Sequence, residues 1–235
     1  MDYAFFSDFF EYLKDEGIGP SGIATRRKTL ICTLEEFIRL DLLSKNYCKL
    51  IPKPKENVRE EYLDVKEISR LRKLDLNIGS MEPGLNLTRD LFLFSCYTGL
   101  RYSDVISINK EQFKDNYIEL RMKKTSKKIK IFLKSEVVAL IMKYKSSYRK
   151  TLFPYRSNVA VNRDLKLLAR WSKINKRVSF HTGRHTFGSL LANNNVPASH
   201  IMKLMGHGSM DMTGRYLNSD DDTLEKSVMS VSFTE

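Results

Sequence analysis

Apolar side chains recur at helical spacing at the start of the chain. In the segment DYAFFSDFFEYLKDEG, Phe5, Phe9, Tyr12 and Leu13 follow an i, i+4, i+7, i+8 pattern. This spacing predicts one amphipathic helix that buries these four side chains. Glycine and proline in the following GIGP segment then end the helix.

A second amphipathic helix is predicted over SGIATRRKTLICTLEEFIRLDLL. Its inward positions are apolar: Leu30, Leu34, Phe37 and Ile38. Its outward face carries three successive basic residues: Arg26, Arg27 and Lys28. Two or three short helices bury little core alone, so we expect a small helical domain or the remainder of a larger one.

A polar, proline-containing segment separates the two parts of the chain. IPKPKEN combines two prolines with alternating lysines and has no apolar periodicity, which is typical of a linker. Asp64, followed three residues later by Glu67, predicts a capping box at the next helix start. We therefore expect a small domain at 1–50, a linker at 51–60 and a main domain at 61–235.

The main domain is predicted to be mainly α with a small antiparallel β-sheet. TRDLFLFSCYTGL, SEVVALIMKYKSS and NVAVNRDLKLLARWSKI have helical patterns, whereas alternation around KTSK in YIELRMKKTSKKIKIFL predicts a β-hairpin. RVSF is a short strand or an extended lead-in to three further helices. These helices are expected from His181, from Pro197 through Met205, and from about Ser209 to Leu217.

The distribution of charge adds a first indication of function. The 235 residues carry a net charge of +12. Residues 1–57 hold nine basic and nine acidic side chains, so residues 58–235 carry the whole excess. Such a basic domain favours a polyanion, most often nucleic acid, although a basic surface also serves solubility alone.

Composition excludes several other classes of protein. No stretch approaches the roughly 18 consecutive apolar residues of a membrane span. The acidic N-terminus lacks the basic start of a signal peptide. Cys32, Cys48 and Cys96 have neither disulfide-framework nor zinc-site spacing, which favours a reducing, cytoplasmic location.

Two segments contain candidate chemistry. RMKKTSKKIKIFLK holds seven Lys or Arg, which suits either a solvated strand edge or a finger that grips phosphates. In FHTGRHTF, His181 and Arg184 share one helix face near a predicted N-terminus, an arrangement that suits a phosphate or a polar helix end. A zinc site is disfavoured because no further ligands stand at zinc-ligand spacing.

Read in order, these segments resemble a known family. TGLRYSD, the hairpin lysines, HTGRHTFGSLL, and LMGH followed by a threonine and a tyrosine resemble the catalytic domain of the tyrosine recombinases, the phage integrase family. The resemblance covers residues from about 60 to 217. It implies a recombinase catalytic domain, preceded at 1–50 by a partial helical core-binding domain of the SAM-like type.

The resemblance implies transesterification of DNA through a covalent tyrosine intermediate, with no metal, ATP or other cofactor. Tyr216 is then the nucleophile that joins the 3′ phosphate. Arg101 and Arg184 hold the non-bridging oxygens. Lys124 matches the family's general acid best, although neighbouring lysines stay open as alternatives: Lys123, Lys127 and Lys128.

The resemblance also assigns supporting roles. His181 assists proton transfer at the tyrosine, and His207 donates to the same phosphate. Asp104 buttresses the site, and His185 is expected to be buried and structural. Candidate contacts to the DNA backbone are the hairpin lysines and the basic face of the second helix: Lys123, Lys127, Lys128, Lys130, Arg26, Arg27 and Lys28.

The implied partners are double-stranded DNA, further copies of the chain and possible accessory DNA-bending proteins. Leu224, Val228 and Val231 stand at i, i+4, i+7 and predict a C-terminal tail helix. By the resemblance this tail joins protomers into a tetramer on synapsed DNA; the alternative is a helix folded onto its own domain. Competing functions are a type IB topoisomerase, a telomere resolvase, or a DNA-binding protein without catalysis.

Overall fold

The structure, a computed structural model, describes most of the 235-residue chain. The described residues are 2–54, 61–76, 82–114, 117–124, 126–145, 148–207 and 211–214. The chain divides into two compact units, Met1–Arg59 and Glu60–Glu235, and each has its own hydrophobic core.

The first unit is helical. Helix α1 (Tyr3–Asp15) and helix α2 (Pro20–Arg39) pack with a 3₁₀ turn at Tyr47–Leu50. The Asp2 carboxylate accepts the Phe5 amide hydrogen at 2.9 Å and so caps the start of α1. A proline in the first turn of α2 loses no hydrogen bond, because that amide has no partner within a helix.

The buried face of α1 differs from the predicted one. Phe6, Phe10 and Leu13 are buried, whereas Phe5 and Tyr12 are 50% and 56% exposed. The prediction that Phe5 and Tyr12 face inward was therefore wrong. Two Phe–Phe doublets give α1 two possible apolar faces about 100° apart, and packing against α2 and the 3₁₀ turn buries the second ring of each doublet.

In helix α2, two side chains depart from the predicted division into a buried apolar face and an exposed basic face. Leu34 is buried, but Phe37 is 38% exposed, so its inward placement was also wrong. The Arg27 guanidinium turns back into the unit, where it donates to the carbonyls of Ile51 and Lys49 at 2.7 and 3.0 Å. These bonds hold the 3₁₀ turn against α2. The neighbouring basic residues are exposed: Arg26 and Lys28.

Over its described residues, the second unit is mainly helical with one two-stranded antiparallel sheet, as predicted. Its described helices are α3 (Val65–Lys73), α4 (Glu82–Thr98), α5 (Tyr102–Val105), α6 (Ser135–Lys145), α7 (Asn158–Trp171), α8 (Phe180–Asn193), α9 (Ala198–Met205) and α10 (Asp211–Gly214). A 3₁₀ turn spans Lys110–Gln112. The predicted capping box at Asp64 and Glu67 begins α3 and is confirmed.

Helix α4 lies at the centre of this unit and packs against α3, α6, α7 and α8. Four successive residues, 91 to 94, are buried, as a helix surrounded on all sides requires. At the start of α8, Phe180 packs edge-on against Phe92 and Tyr102, with ring centroids 6.4 and 5.4 Å apart. The beginning of α8 is thereby held beside the beginning of α5.

The predicted β-hairpin is confirmed. Strand β1 (Tyr117–Arg121) pairs with strand β2 (Lys128–Phe132), with Leu120 opposite Ile129. Alternate side chains face the core, and the intervening lysines of β2 face solvent. The loop between the strands is closed by the Met122 amide, which donates to the Lys127 carbonyl at 2.9 Å.

Several boundaries in the last third differ from the predicted ones. The first three residues of RVSF, 177–179, are a lead-in that forms no strand, and its last residue, Phe180, begins α8, one residue before His181. Of the last predicted helix, only Asp211–Gly214 belongs to the described residues, and the predicted tail helix lies outside them. No helix in the described ranges is both long and apolar enough to cross a membrane.

Candidate active site

Arg184 lies at the centre of the predicted site and is only 2% exposed. Its guanidinium donates from Nη1 to the Gly99 carbonyl at 2.7 Å and from Nη2 to the Met205 carbonyl at 2.6 Å. Gly99 directly follows α4, and Met205 is the last residue of α9. Carbonyls at a helix C-terminus lack partners within the helix and carry the negative end of its dipole. Arg184 therefore closes the ends of two helices at once.

Both of these helices end at a glycine in the left-handed conformation. The backbone angle φ is +70° at Gly99 and +59° at Gly206, a region that favours glycine. A Cβ on Gly206 would also lie 2.3 Å from Met122 Sδ. The chain therefore turns sharply just before Arg101 and just before His207, and Arg184 holds the two turns together.

Arg101 and the hairpin loop meet at the start of α5. Arg101 is the N-cap residue of that helix, and its Nη1 lies 3.8 Å from Met122 Sδ. Asp104, 2% exposed, accepts the backbone N–H of Lys123 on Oδ1 at 2.9 Å. Its Oδ2 is buried and has no hydrogen-bond partner among the residues that the structure describes. Asp104 thus holds the hairpin loop to the helix that begins at Arg101.

The predicted hairpin lysines occupy different positions. Lys127 Nζ donates to the His207 carbonyl at 2.6 Å, an interaction that the sequence did not indicate. Lys130 Nζ lies 4.8 Å from the centre of the Tyr117 ring. The remaining lysines of the loop and of β2 are exposed: Lys123, Lys124 and Lys128. The loop is thereby fastened at its Lys127 end, while Lys124 lies on its outer turn.

His207 is buried, with 4% of its surface exposed, and its ring is held by Thr213. His207 Nδ1 and Thr213 Oγ1 are 2.9 Å apart. When the threonine hydroxyl donates to Nδ1, the ring proton is on Nε2, which can then donate to an anion. The threonine was visible in the sequence box, six residues after the histidine, but its role was not predicted.

The two histidines of α8 pack against each other. The rings of His181 and His185 meet edge-on, with centroids 4.4 Å apart. His181 is exposed and His185 is half-buried rather than buried. His181 and Arg184 share a helix face, as their spacing predicts, but only Arg184 is buried.

Two tyrosines close to Arg101 in sequence are held as neutral phenols. Burial raises the pKa of Tyr97 to about 12. Burial also raises the pKa of Tyr102, whose hydroxyl donates to the Arg156 carbonyl. A raised pKa disfavours the phenolate, so the surroundings of these two tyrosines do not activate either of them as a nucleophile.

The structure thus brings together Arg101, Arg184, His207 and the hairpin loop. Tyr216 and Thr125 lie outside the described residues. The side chain that sequence reasoning missed altogether is Met122, because an apolar residue after an alternating strand is typical of core packing.

The comparison with protein families decides the classification of the chain. Residues 61–223, well over half of its length, match the phage integrase family. The chain belongs to this family. The resemblance inferred from the sequence boxes, to the tyrosine recombinases, is confirmed.

Individual members of the family are distant relatives. Transposase B from transposon Tn554 of Staphylococcus aureus (strain Mu50 / ATCC 700699) is 27% identical over 244 residues, which cover 89% of this chain and 36% of the transposase. The chain therefore spans little more than a third of that relative. Tyrosine recombinase XerC of Caldanaerobacter subterraneus subsp. tengcongensis is 25% identical over 244 residues, which cover 94% of this chain and 67% of XerC.

Solved integrase structures share the fold. A lambda integrase(75-356) dimer bound to a COC′ core site matches with a TM-score of 0.77 and 19% identity, over 94% of this chain and 81% of the integrase. A lambda integrase tetramer bound to a Holliday junction matches with a TM-score of 0.75 and 18% identity, over 94% and 67%. At these identities the likeness establishes the fold.

Proposed function

We propose that this chain is a site-specific DNA recombinase that cuts and rejoins DNA by transesterification at Tyr216. The tyrosine oxygen attacks phosphorus, the bond to the 5′ oxygen breaks, and the 3′ phosphate becomes a phosphotyrosine ester. A 5′ hydroxyl from another strand then attacks this ester and releases the tyrosine. The number of phosphodiester bonds is conserved, so no ATP is required, and we assign to Arg101 and Arg184 the stabilisation of phosphate charge that a metal ion would otherwise provide.

The observation that carries this proposal is the meeting of Arg101, Arg184 and His207 around the hairpin loop. The transition state of phosphoryl transfer places negative charge on the non-bridging oxygens, and fixed guanidinium donors stabilise it. A guanidinium has five N–H donors and keeps its positive charge, so we assign Arg184, together with Arg101, to the non-bridging oxygens of the scissile phosphate. His207 adds a ring N–H donor, which Thr213 orients.

Proton transfer falls to exposed residues. We assign Lys124, on the outer turn of the hairpin loop, as the general acid that protonates the leaving 5′ oxygen. His181, which is exposed at the start of α8, assists the transfer of the proton from the tyrosine hydroxyl. Lys127 is occupied by the His207 carbonyl, which favours Lys124 over it as the acid.

DNA binding and assembly form the second part of the proposal. The exposed hairpin lysines and, in the first unit, Arg26 and Lys28 contact DNA phosphates. That unit is part of a core-binding domain, and the C-terminal tail joins protomers into a tetramer. The lambda integrase dimer and tetramer on DNA support this assembly, and the Tn554 relative supports a role in a mobile element.

A nicked suicide substrate tests the reaction. Loss of the short fragment that carries the free 5′ hydroxyl traps the covalent intermediate, so the wild-type protein is expected to form a protein–DNA adduct that survives denaturation and the presence of a chelator. Tyr216→Phe should abolish the adduct while DNA binding in a mobility-shift assay persists. Binding without an adduct in the wild type would favour a DNA-binding protein without catalysis; relaxation of supercoiled DNA without strand exchange would favour a type IB topoisomerase.

A sulfur-containing substrate identifies the acid. Replacing the bridging 5′ oxygen by sulfur gives a leaving thiol, whose pKa of about 8.5 removes the need for protonation. Lys124→Ala should be slow on the ordinary substrate and restored on the sulfur substrate. If the sulfur substrate instead restores cleavage by one of the other alanine variants, the lysine replaced in that variant is the general acid. These variants are Lys123→Ala, Lys127→Ala and Lys128→Ala.

A further inference from the structure

Met122 occupies an unusual place for a core residue. It is 1% exposed and follows the last residue of β1. Its amide donates to the Lys127 carbonyl, and its carbonyl accepts the Ser126 amide, both at 2.9 Å. The backbone of Met122 is therefore fixed by the closed hairpin loop, and its side chain begins from a defined point.

The Met122 side chain lies between two parts of the candidate active site. Its Sδ is 3.8 Å from Arg101 Nη1 on one side. On the other side it touches Gly206, where a Cβ would lie only 2.3 Å from the sulfur. Gly206 directly precedes His207, so one thioether fills the space between the guanidinium and the turn that carries the histidine.

A thioether suits this position chemically. Sulfur is a weak acceptor and is polarizable, so it contacts a guanidinium without neutralising its charge. Among the described residues no carboxylate lies within ion-pair distance of Arg101, and the nearby Asp104 accepts the Lys123 amide instead. The charge of Arg101 is thus held in place by a neutral partner and stays available to an anion.

We infer that Met122 is a positioning residue: its sulfur, supported by Gly206, fixes the Arg101 guanidinium where it meets one non-bridging oxygen of the scissile phosphate. This inference rests on the proposed function. Because reactive groups displaced by about 1 Å can lose about 10²-fold in rate, a small change in this arrangement should be visible in the cleavage step.

The test replaces the sulfur at nearly constant volume. Met122→Leu removes the acceptor, and Leu120→Met makes the reverse exchange two residues earlier on the same buried face of the hairpin. We expect Met122→Leu to slow adduct formation on the suicide substrate by about 10- to 100-fold, whereas Leu120→Met stays within about twofold of the wild type. Thermal melting checks that both variants fold.

Methylphosphonate substrates separate positioning from general damage. A methyl group in place of one non-bridging oxygen removes its charge and the need for the arginine that faces it. The two diastereomers are used separately, and the cleavage rate of each variant is compared with that of the wild type on the same substrate. On one diastereomer, the rate loss caused by Met122→Leu should be at least fivefold smaller than on the phosphodiester. It should be the same diastereomer on which the rate loss caused by Arg101→Ala becomes smaller.

The outcomes are distinguishable. Equal slowing of Met122→Leu on the phosphodiester and on both methylphosphonates, or cleavage at the wild-type rate, overturns the positioning role. The positioning role is also overturned if the rate loss caused by Met122→Leu becomes smaller only on the diastereomer that does not restore cleavage by Arg101→Ala. Absence of an adduct with the wild-type protein would instead contradict the proposed function itself.

Discussion

A buried guanidinium is costly unless hydrogen bonds and opposite charge compensate it, and Arg184 has both. Its two carbonyl partners are ends of helices, where the macrodipole places partial negative charge. Arg184 therefore stabilises the fold at the same place where it serves the proposed chemistry. A substitution there should affect folding as well as catalysis.

Arg184→Lys is predicted to lower the free energy of unfolding by about 1–3 kcal/mol, because one ammonium cannot reach both carbonyls and leaves a buried acceptor unsatisfied. Urea unfolding followed by circular dichroism measures this. Arg163→Lys, at a side chain that is 72% exposed, is the matched control and should change stability by less than about 0.5 kcal/mol. Equal effects of the two substitutions would contradict the capping role.

Thr213→Val is predicted to slow adduct formation by about 10-fold or more, because His207 loses the hydroxyl that fixes its ring and tautomer. Thr213→Ser keeps the hydroxyl and should stay within about threefold of the wild type. Single-turnover cleavage rates of the three proteins decide the matter. A slow serine variant would point to missing packing of the methyl group instead.

At the scale of residues, the sequence indicated which side chains belong to the family motifs, but not which contacts fix their positions. Order and spacing selected Arg101, Arg184 and His207 as candidates, and in the structure all three lie around the hairpin loop. That Lys127 donates to the His207 carbonyl, and that Met122 contacts Arg101, depends on how the hairpin loop packs against distant turns. Interactions of this kind between remote segments leave no periodic trace in a single sequence.

At the scale of elements, two helices and a hairpin create the site. Helices α4 and α9 each end at a left-handed glycine, and the hairpin loop lies against both following turns. The strand alternation predicted the hairpin correctly because one face must be buried. The predicted buried face of α1 was wrong for the opposite reason. Each doublet of phenylalanines offers an apolar side chain to two faces of the helix, and only tertiary packing determines which face is buried.

Gly206→Ala is predicted to destabilise the protein by about 1–3 kcal/mol, because the new Cβ meets Met122 Sδ and the positive φ strains any other residue. Gly214→Ala, in α10, meets no atom within 4 Å and should be neutral or slightly stabilising. Thermal melting of both variants gives the comparison. If the two melt alike, the close approach of hairpin and turn is not a constraint on the fold.

At the scale of the whole molecule, the net positive charge is concentrated in one part of the chain. The first 57 residues are balanced and the remainder carries +12. Net charge alone does not say where DNA lies, because distributed charge raises affinity everywhere. The structure narrows the question, since some lysines are paired with carboxylates and the hairpin lysines Lys123, Lys128 and Lys130 have no carboxylate partner among the described residues.

The effect of where the lysines lie can be separated from the effect of net charge on DNA binding. Two triple variants serve for this, each of which removes three positive charges. Neutralising Lys123, Lys128 and Lys130 to glutamine should weaken DNA binding and reduce the slope of log K against log salt by about 0.9 for each phosphate that the variant no longer neutralises. Neutralising Lys14, Lys49 and Lys143, which pair with Glu11, Glu35 and Asp90, should leave the slope almost unchanged. Fluorescence anisotropy titrations over a range of salt concentrations measure both slopes. Equal slopes for the two variants would mean that the hairpin contributes only net charge, and that the phosphates are gripped by another surface.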